Sequence, residues 1–359
     1  MTHQPHEFFG GVDTHGRTHH AAVIDAIGRH LADREFPATA AGYRDLLAWM
    51  TTHGQLVAVG VEGTGAYGAE LARVLADAGL TVLEVDRPDR RTRRVKGKSD
   101  PIDAYAAAEA VASGRATGSP KSRTGTVEAI RVLRIARRSA AKARTQAINQ
   151  IHAVLVSGPT RLREQVADLS PAELIRTLAR TRPGEDLSAP TNATKAALRS
   201  LARRVQALEQ EITELDTQIT PLIRQTAPGL LGLYGVGPET AGQLLTTAGD
   251  NPQRMVSEAA FAHLTGAAPI PASSGRTHRH RLNRGGDRAA NHALHTIVLV
   301  RMRHDPRTRT YVQRRTTEGL SKKEIMRCLK RFVAREVYHA LTATPPAQTT
   351  QTTPHHPAT

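Results

Sequence analysis

The sequence has 359 residues and carries 49 Lys and Arg against 33 Asp and Glu, which gives a formal net charge of +16. Its length suggests two or three domains. No run of about 18 apolar residues occurs, which excludes a transmembrane helix. The single cysteine, Cys328, excludes an internal disulfide and argues against a cysteine-based zinc site. Residues 1–10 lack the basic and apolar stretches of a secretory signal, so we expect a cytoplasmic protein.

The basic residues lie in three clusters, at 87–98, 115–144 and 276–336. Most of these cations are arginine, whose planar donor fork matches phosphate oxygens. A solvated surface is the alternative for any one cluster, but a chain this basic is typical of nucleic-acid-binding proteins. Aromatic residues make up only 3% of the chain, so platforms for base stacking are scarce. The clusters therefore predict contact with the backbone of duplex or structured nucleic acid.

The first segment, residues 1–116, has the pattern of an α/β domain. Its predicted elements, in chain order, are strands at 8–13, 19–25 and 30–36, a helix at 43–50, a strand at 56–61, a helix at 65–78, a strand at 81–85 and a helix at 100–113. Ser99 is the predicted N-cap of the last helix. A hairpin of strands followed by alternating helices and strands is the order of ribonuclease-H-like folds.

Four carboxylates stand at the ends of these elements. Asp13 ends the first strand, Glu62 ends the buried strand at 56–61, and Asp100 and Asp103 share one face at a helix start. Neighbouring carboxylates repel each other unless a cation lies between them. Four that converge suit two Mg²⁺ ions about 4 Å apart, an arrangement that cleaves phosphodiesters. Because acids at a helix start also complement the helix dipole, the two strand-end acids carry most of this argument.

The middle segment, residues 117–226, is predicted to be helical. From 198 to 222 its apolar residues alternate spacings of three and four, the a/d pattern of a coiled coil. They are Leu198, Leu201, Val205, Leu208, Ile212, Leu215, Ile219 and Leu222. A second long helix is predicted at 127–156, and the two helices either pair within one chain or join subunits. The proline-containing stretch between them, 157–194, is predicted to be irregular with one short helix.

The third segment, residues 227–341, begins with two short predicted helices joined by the turn Gly235-Val-Gly237, the pattern of a helix-hairpin-helix. These glycines would let backbone N–H groups approach a phosphate at the N-terminus of the following helix. An ordinary helix turn with a glycine C-cap is the alternative. Residues 342–359 are rich in Thr, Pro, Ala, His and Gln, and this tail is predicted to be disordered.

Six motifs are similar, in type and order, to those of the DEDD transposases of bacterial insertion sequences. They are Gly11-Val-Asp13-Thr-His, Glu62-Gly-Thr-Gly, Lys98-Ser-Asp100-Pro-Ile-Asp103, Gly235-Val-Gly237-Pro238, Pro269-Ile-Pro-Ala-Ser-Ser274-Gly275 and Asn283-Arg-Gly-Gly-Asp287-Arg288. The resemblance covers nearly the whole chain except the tail and residues 157–194. It implies a RuvC-like domain of the RNase H fold, a helical coiled-coil region and a mostly helical C-terminal transposase domain.

Carried over residue by residue, the resemblance implies Asp13, Glu62, Asp100 and Asp103 as catalytic ligands of two Mg²⁺ ions, with Mn²⁺ as the alternative metal. It implies a serine nucleophile at Ser274, which directly precedes Gly275, with Ser273 as the alternative. It also implies a dimer or tetramer joined through the coiled coil at 198–222. A guide RNA encoded by the element is a further implied partner.

The sequence therefore predicts a recombinase that cleaves and exchanges double-stranded DNA at the element ends and the target, through a 5′-phosphoserine intermediate. A metal-dependent Holliday-junction nuclease on the same fold, acting by activated water, is one alternative, and a non-catalytic binding scaffold is another. The residues predicted to contact nucleic acid are Arg90, Arg91, Arg93, Arg94, Lys96, Lys98, Gly235, Gly237, Arg276, Arg279, Arg281, Arg284 and Arg288.

Overall fold

The computed structural model describes residues 7–85, 97, 99–275 and 280–343. The chain divides into two compact units, one formed by residues 1–125 with 248–257 and the other by residues 126–247 with 258–359. The domain boundaries after residues 116 and 226 stay predictions. Within the described ranges, no helix is both long and apolar enough to cross a membrane.

The first unit is built on a five-stranded sheet whose strand order is β3-β2-β1-β4-β5. The strands are β1 (Glu7–Thr14), β2 (Thr18–Asp25), β3 (His30–Pro37), β4 (Gln55–Glu62) and β5 (Val82–Val85). β1 pairs antiparallel with β2 and parallel with β4, while β3 and β5 extend the two sides. All five predicted strands are confirmed, and the order is consistent with a RuvC-like domain.

Helices cover both faces of this sheet because its central strands are apolar on both sides. On one face, Val59 and Val61 pack against α1 (Ala40–Thr51) and α2 (Ala69–Asp77). On the other face, Ala58 and Val85 pack against α3 (Asp100–Ala112). Ser99 occupies the N-cap position of α3, as predicted, although its hydroxyl makes no capping hydrogen bond. Helix α2 begins four residues later than predicted, because residues 63–68 form a turn in which Ala66 N–H donates to Gly63 O.

The second unit begins with the long helix α4 (Thr126–Ser157), followed by α5 (Thr160–Gln165), α6 (Pro171–Arg180) and α7 (Pro190–Thr226). The prediction of one short helix between the two long ones is wrong, because two are present. Pro171 stands in the first turn of α6, where its missing N–H costs nothing, and Ser170 and Glu173 form a capping box there. Two of the prolines in the stretch predicted to be irregular, Pro171 and Pro190, therefore start helices.

The apolar repeat of α7 is divided between two environments. Four of its members are buried: Leu198, Val205, Ile212 and Ile219. The N-terminal half of α7, with Leu198 and Val205, packs against Ile151 and Leu155 of α4 and Leu178 of α6. The alternate members, Leu201, Leu208, Leu215 and Leu222, are only half-buried. Pairing within the chain, one of the two predicted alternatives, is thus observed for half of the repeat, and joining to another subunit stays a prediction.

The rest of the second unit is mostly helical. It comprises α8 (Pro228–Leu231), α9 (Pro238–Ala248), α10 (Glu258–Leu264), the short strands β6 (Ile270–Pro271) and β7 (His280–Arg281), α11 (Arg288–His304), α12 (Pro306–Thr317) and α13 (Lys322–Thr342). Phe261, Leu294, Ile297, Ile325 and Val333 are buried in its core. The predicted tail lies outside the described residues from position 344 onward.

Candidate active site

Asp13 and Glu62 lie at one edge of the sheet. Val12 is opposite Val61 in the parallel pairing of β1 and β4, so the two acids follow side by side at the ends of these strands. Thr14 Oγ1 donates a hydrogen bond of 2.8 Å to the Glu62 carbonyl and ties the two strand ends together. Gly63 has a φ of +70°, and an added Cβ there would lie 2.8 Å from Thr14 Oγ1. The Glu-Gly step of the second motif therefore has a structural reason.

Two glycines allow α3 to approach the sheet closely enough to bring its acids to this edge. A Cβ on Gly11 would lie 2.2 Å from the carbonyl oxygen of Ala104, and one on Gly60 would lie 2.7 Å from that of Ala107. Any side chain at Gly11 would collide with the helix backbone. With glycine there, the start of α3 places Asp100 and Asp103 beside Asp13, and the carboxylate of Asp103 is 4% exposed.

The electrostatics of this edge disfavour the carboxylate form of Asp13. The residue is 5% exposed, and burial raises the pKa of the Asp13 carboxyl above its ordinary value. His15 and a backbone N–H of Thr14 lower this pKa, whereas the charges of Asp103 and Asp100 raise it further. Asp13 Oδ2 is buried and makes no hydrogen bond within the described part of the chain. A buried anionic oxygen among like charges is a favourable ligand for a cation.

His15 belongs to the same cluster, although the sequence analysis did not single it out as a ligand. Its Nε2 lies 3.3 Å from Asp13 Oδ2 and 3.2 Å from Asp100 Oδ1. One ligand atom from each of Asp13, His15 and Asp100 lies within 4.8 Å of the others. The spacing Asp-x-His was a signal for this, because residues two apart at a strand end point to the same side. The donor set of two carboxylates and one imidazole can hold a divalent cation.

The four predicted ligands are therefore brought together unequally. Asp13 and Asp100 are in the cluster with His15, and Asp103 is close enough for its charge to act on Asp13. Glu62 is half-buried at the end of β4, and its backbone carbonyl accepts the hydrogen bond from Thr14 Oγ1. The metal-ligand role of Glu62 stays a prediction.

Ser274 lies between β6 and β7, in the second unit. Ser273 and Ser274 are both exposed, and Gly275 has a φ of +55° with open space around its Cα. The longer segment 264–287, which contains this turn, is closed by a hydrogen bond of 2.7 Å from Asp287 N–H to Leu264 O. A hydroxyl on an exposed turn is accessible to a large substrate, as a nucleophile acting on DNA must be.

The predicted nucleic-acid contacts fall into three groups. Arg90, Arg91, Arg93, Arg94, Lys96, Lys98, Arg276 and Arg279 lie outside the described residues. The second group, Arg281, Arg284 and Arg288, is exposed. The third group is the glycine turn, where Gly235 has a φ of +79° and Gly237 N–H donates to Thr240 Oγ1 at 3.1 Å. Since this N–H already has an acceptor, phosphate binding by the turn stays a prediction.

Two arginines of the basic cluster at 115–144 bind carboxylates inside their own unit. Arg134 is buried and donates to Glu239 at 2.6 Å, and Arg137 contacts both Asp216 and Glu239. The cluster is therefore only partly available to nucleic acid, and the sequence could not indicate this because the partners lie on α7 and α9.

Comparison with known proteins shows what two parts of the chain are similar to. Residues 10–158 match the DEDD transposase domain model of the IS110 type, and residues 228–313 match the model described as transposase IS116/IS110/IS902 family. Two parts of the chain are thus similar to transposase domains, and the first of these domains is of the DEDD type.

The individual relatives are proteins of insertion elements. An uncharacterized 42 kDa protein of IS900 from Mycobacterium paratuberculosis is 33% identical over 38% of this chain and 34% of its own length. A 43.6 kDa protein of IS110 from Streptomyces coelicolor is 34% identical over 33% of this chain and 30% of its own length. The match therefore spans about a third of these two relatives. A protein of the same organism, named for the transposase of the IS117 mini-circle, is 26% identical over 75% of this chain and 78% of its own.

Proposed function

We propose that this protein is a transposase of an insertion sequence that cleaves and exchanges DNA strands with the help of divalent cations. The observation that carries the proposal is the cluster of Asp13, His15 and Asp100, with Asp103 beside it, at the edge of the sheet. The matches of residues 10–158 and 228–313 to transposase models support it. The same features support double-stranded DNA, at the element ends and the target, as the partner.

In this proposal Asp13, Asp100 and Asp103 hold Mg²⁺ or Mn²⁺, with Glu62 as the fourth carboxylate. Such a cation polarises the scissile phosphate and neutralises developing charge. The chain's own contribution is to hold the carboxylates in place before DNA arrives. Gly11 and Gly60 set the depth of α3, Thr14 ties the strand ends, and the imidazole of His15 fixes the orientation of Asp13 and Asp100.

The second part of the proposal is that Ser274 is the nucleophile, with Ser273 as the alternative. The Oγ–P bond forms as the P–O3′ bond breaks, the serine proton passes to water or a nearby base, and the leaving 3′ oxygen takes up a proton. The product is a 5′-phosphoserine that preserves the energy of the phosphodiester. Attack by another 3′-hydroxyl then releases the serine and rejoins strands without an external energy source. Exposure of Ser274 on its turn suits this role.

The test is a search for a covalent protein–DNA adduct. Purified protein is incubated with Mg²⁺ and DNA from the junction of the element, with and without RNA transcribed from the flanks of the gene, and run on a denaturing gel. We expect an adduct that Asp13→Ala and Ser274→Ala both abolish and Ser273→Ala preserves. We also expect the adduct to require the RNA, since an element-encoded guide is part of the proposal.

The other outcomes each contradict a named part. Cleaved DNA without an adduct, insensitive to Ser274→Ala, would mean that the protein is a metal-dependent nuclease of the Holliday-junction type. An adduct that survives Ser274→Ala but not Ser273→Ala would move the nucleophile by one residue. Binding without any cleavage, unaffected by Asp13→Ala, would mean a non-catalytic scaffold.

A further inference from the structure

Lys330 is a cation buried in the second unit. It lies on α13, its side chain is 8% exposed, and its Nζ donates a hydrogen bond of 2.9 Å to Asn291 Oδ1 on α11. In the described ranges no carboxylate oxygen lies within ion-pair distance of this ammonium. Burial of an ammonium without a counter-charge is costly, and a bound anion would offset this cost.

The groups around Lys330 are one further cation, Arg327, and two histidines. Arg327 lies one turn earlier on α13, and His295 lies one turn after Asn291 on α11, with His292 between them. Burial lowers the pKa of Lys330, and Arg327 lowers it further. Burial also lowers the pKa of His295, with Lys330 and His292 acting in the same direction. We call these four residues the α11–α13 basic cluster, in which Lys330 and Arg327 are the positively charged groups.

Three arginines on the same helices have acidic partners. Arg331 and Arg335 both bind Glu258, and Arg301 binds Glu336 at 2.7 Å. The fold thus supplies carboxylates to the neighbouring arginines but not to the basic cluster. Arg327 and His295 are half-buried and His292 is exposed, so solvent reaches these three members of the cluster, whereas Lys330 is buried.

We propose that the α11–α13 basic cluster binds a phosphodiester group of a nucleic-acid strand. A lysine ammonium has three donors, of which Asn291 takes one, so two remain for phosphate oxygens. The hydrogen bond to Asn291 fixes the direction of the ammonium before the ligand arrives. Arg327 and the two histidines add donors around the same anion. This site deepens the proposed function by giving nucleic acid a contact away from the carboxylate cluster.

The test compares Lys330→Met with Lys323→Met. The two lysines lie on the same helix, but Lys323 is exposed, so the control removes the same charge without touching the cluster. Affinity for a duplex DNA and for an RNA hairpin of equal phosphate number is measured against KCl concentration. For Lys330→Met we expect weaker binding and a slope of log K against log salt that is smaller by about 1. Lys323→Met should leave the slope nearly unchanged, and Lys330→Arg should retain most of it.

Thermal unfolding of the same variants separates a binding role from a structural one. Removal of a buried ammonium without a counter-charge should leave the Tm of Lys330→Met equal to or above that of the wild type. A lower Tm together with a proportionate loss of binding would mean that Lys330 only supports the fold, and equal slopes for the two Met variants would also overturn the proposal. A slope change with only one of the two nucleic acids identifies the strand that the site binds.

This result and the adduct experiment can fail independently. An adduct formed equally by wild type and Lys330→Met, with unchanged slopes, would remove the site and leave the transposase proposal intact. Slope changes at Lys330 without any adduct would retain the phosphate site and remove the strand-exchange mechanism.

Discussion

At Asp13, burial and the charges of Asp103 and Asp100 act together against the ionised form. A carboxylate in such a position lowers the free energy of unfolding unless a cation compensates its charge. The site is therefore expected to be destabilising when empty and stabilising when filled, and this linkage gives a test that needs no substrate.

We expect Asp13→Asn to keep or raise the Tm in the absence of divalent cations and to abolish the increase that Mg²⁺ or Mn²⁺ gives the wild type. A ligand at 100 times its Kd adds about 2.7 kcal/mol to the free energy of unfolding, which thermal unfolding detects. Asp77→Asn is the control, since Asp77 is exposed on α2. A wild type whose Tm ignores both cations would contradict the metal site.

Local sequence explained part of this site. Asp13 and Asp100 were predicted as ligands from element ends together with the family resemblance, and the structure places them close together. Their role as metal ligands stays a prediction. The contact of His15 with Asp100 was missed, because it depends on how deeply α3 docks against β1 and joins residues 85 positions apart in sequence. Similarly, Lys330 is one of many basic residues between positions 276 and 336, and the sequence does not distinguish it from the exposed ones. Only the packing of the helices shows that it is buried.

Among the elements, α3 depends most directly on single residues. It lies against β1 where Gly11 leaves no room for a Cβ, with Ala104 O and Ala108 N both 2.2 Å from the position that a Cβ would take. The docking of this helix is therefore set by the sheet beneath it as much as by its own alanine-rich sequence.

We expect Gly11→Ala to lower the free energy of unfolding by about 1–3 kcal/mol, the usual cost of overpacking, because α3 must move away from the sheet. The same shift separates Asp100 from Asp13, so the Mg²⁺-dependent Tm increase should also weaken. Chemical denaturation measures the first effect. Gly118→Ala is the matched control, since its Cβ would have no neighbour closer than 4.0 Å, and an equal loss in both variants would refute the close-packing argument.

The type of each element was easier to predict than the element or subunit with which it packs. The period of three and four in α7 correctly indicated a long amphipathic helix, and α4 was also predicted. The same periodicity describes a helix paired within its chain and one paired with another subunit, so it could not decide between them. The prolines at 171 and 190 misled for a related reason, because proline is unfavourable inside a helix but favourable in its first turn.

At the scale of the whole molecule, the question is whether α7 also joins two subunits. Four members of its repeat are buried against the chain's own helices, and the other four are half-buried. The second set is the surface through which the proposed homo-oligomer would form.

We expect Leu208→Asp to reduce the mass in solution, measured by light scattering, because a half-buried leucine at a subunit contact cannot be replaced by a charge. Ala207→Asp introduces the same charge on the exposed side of the helix and should leave the mass unchanged. Circular dichroism confirms that both variants keep their helices. A Leu208→Asp protein with the wild-type mass would show that the repeat serves only the pairing with α4.

The first unit is built from two stretches of sequence that lie far apart, and this affects how it forms during synthesis. Its last part, residues 248–257, joins the unit far from the rest in sequence, with Asn251 bound to Ser122 and Pro120 and Arg254 bound to Glu84 and the Ser119 carbonyl. A ribosome must therefore make the helices α4 to α9 before it supplies these residues. The sheet that carries Asp13 emerges early, but it receives its final contacts only after more than a hundred further residues have been translated.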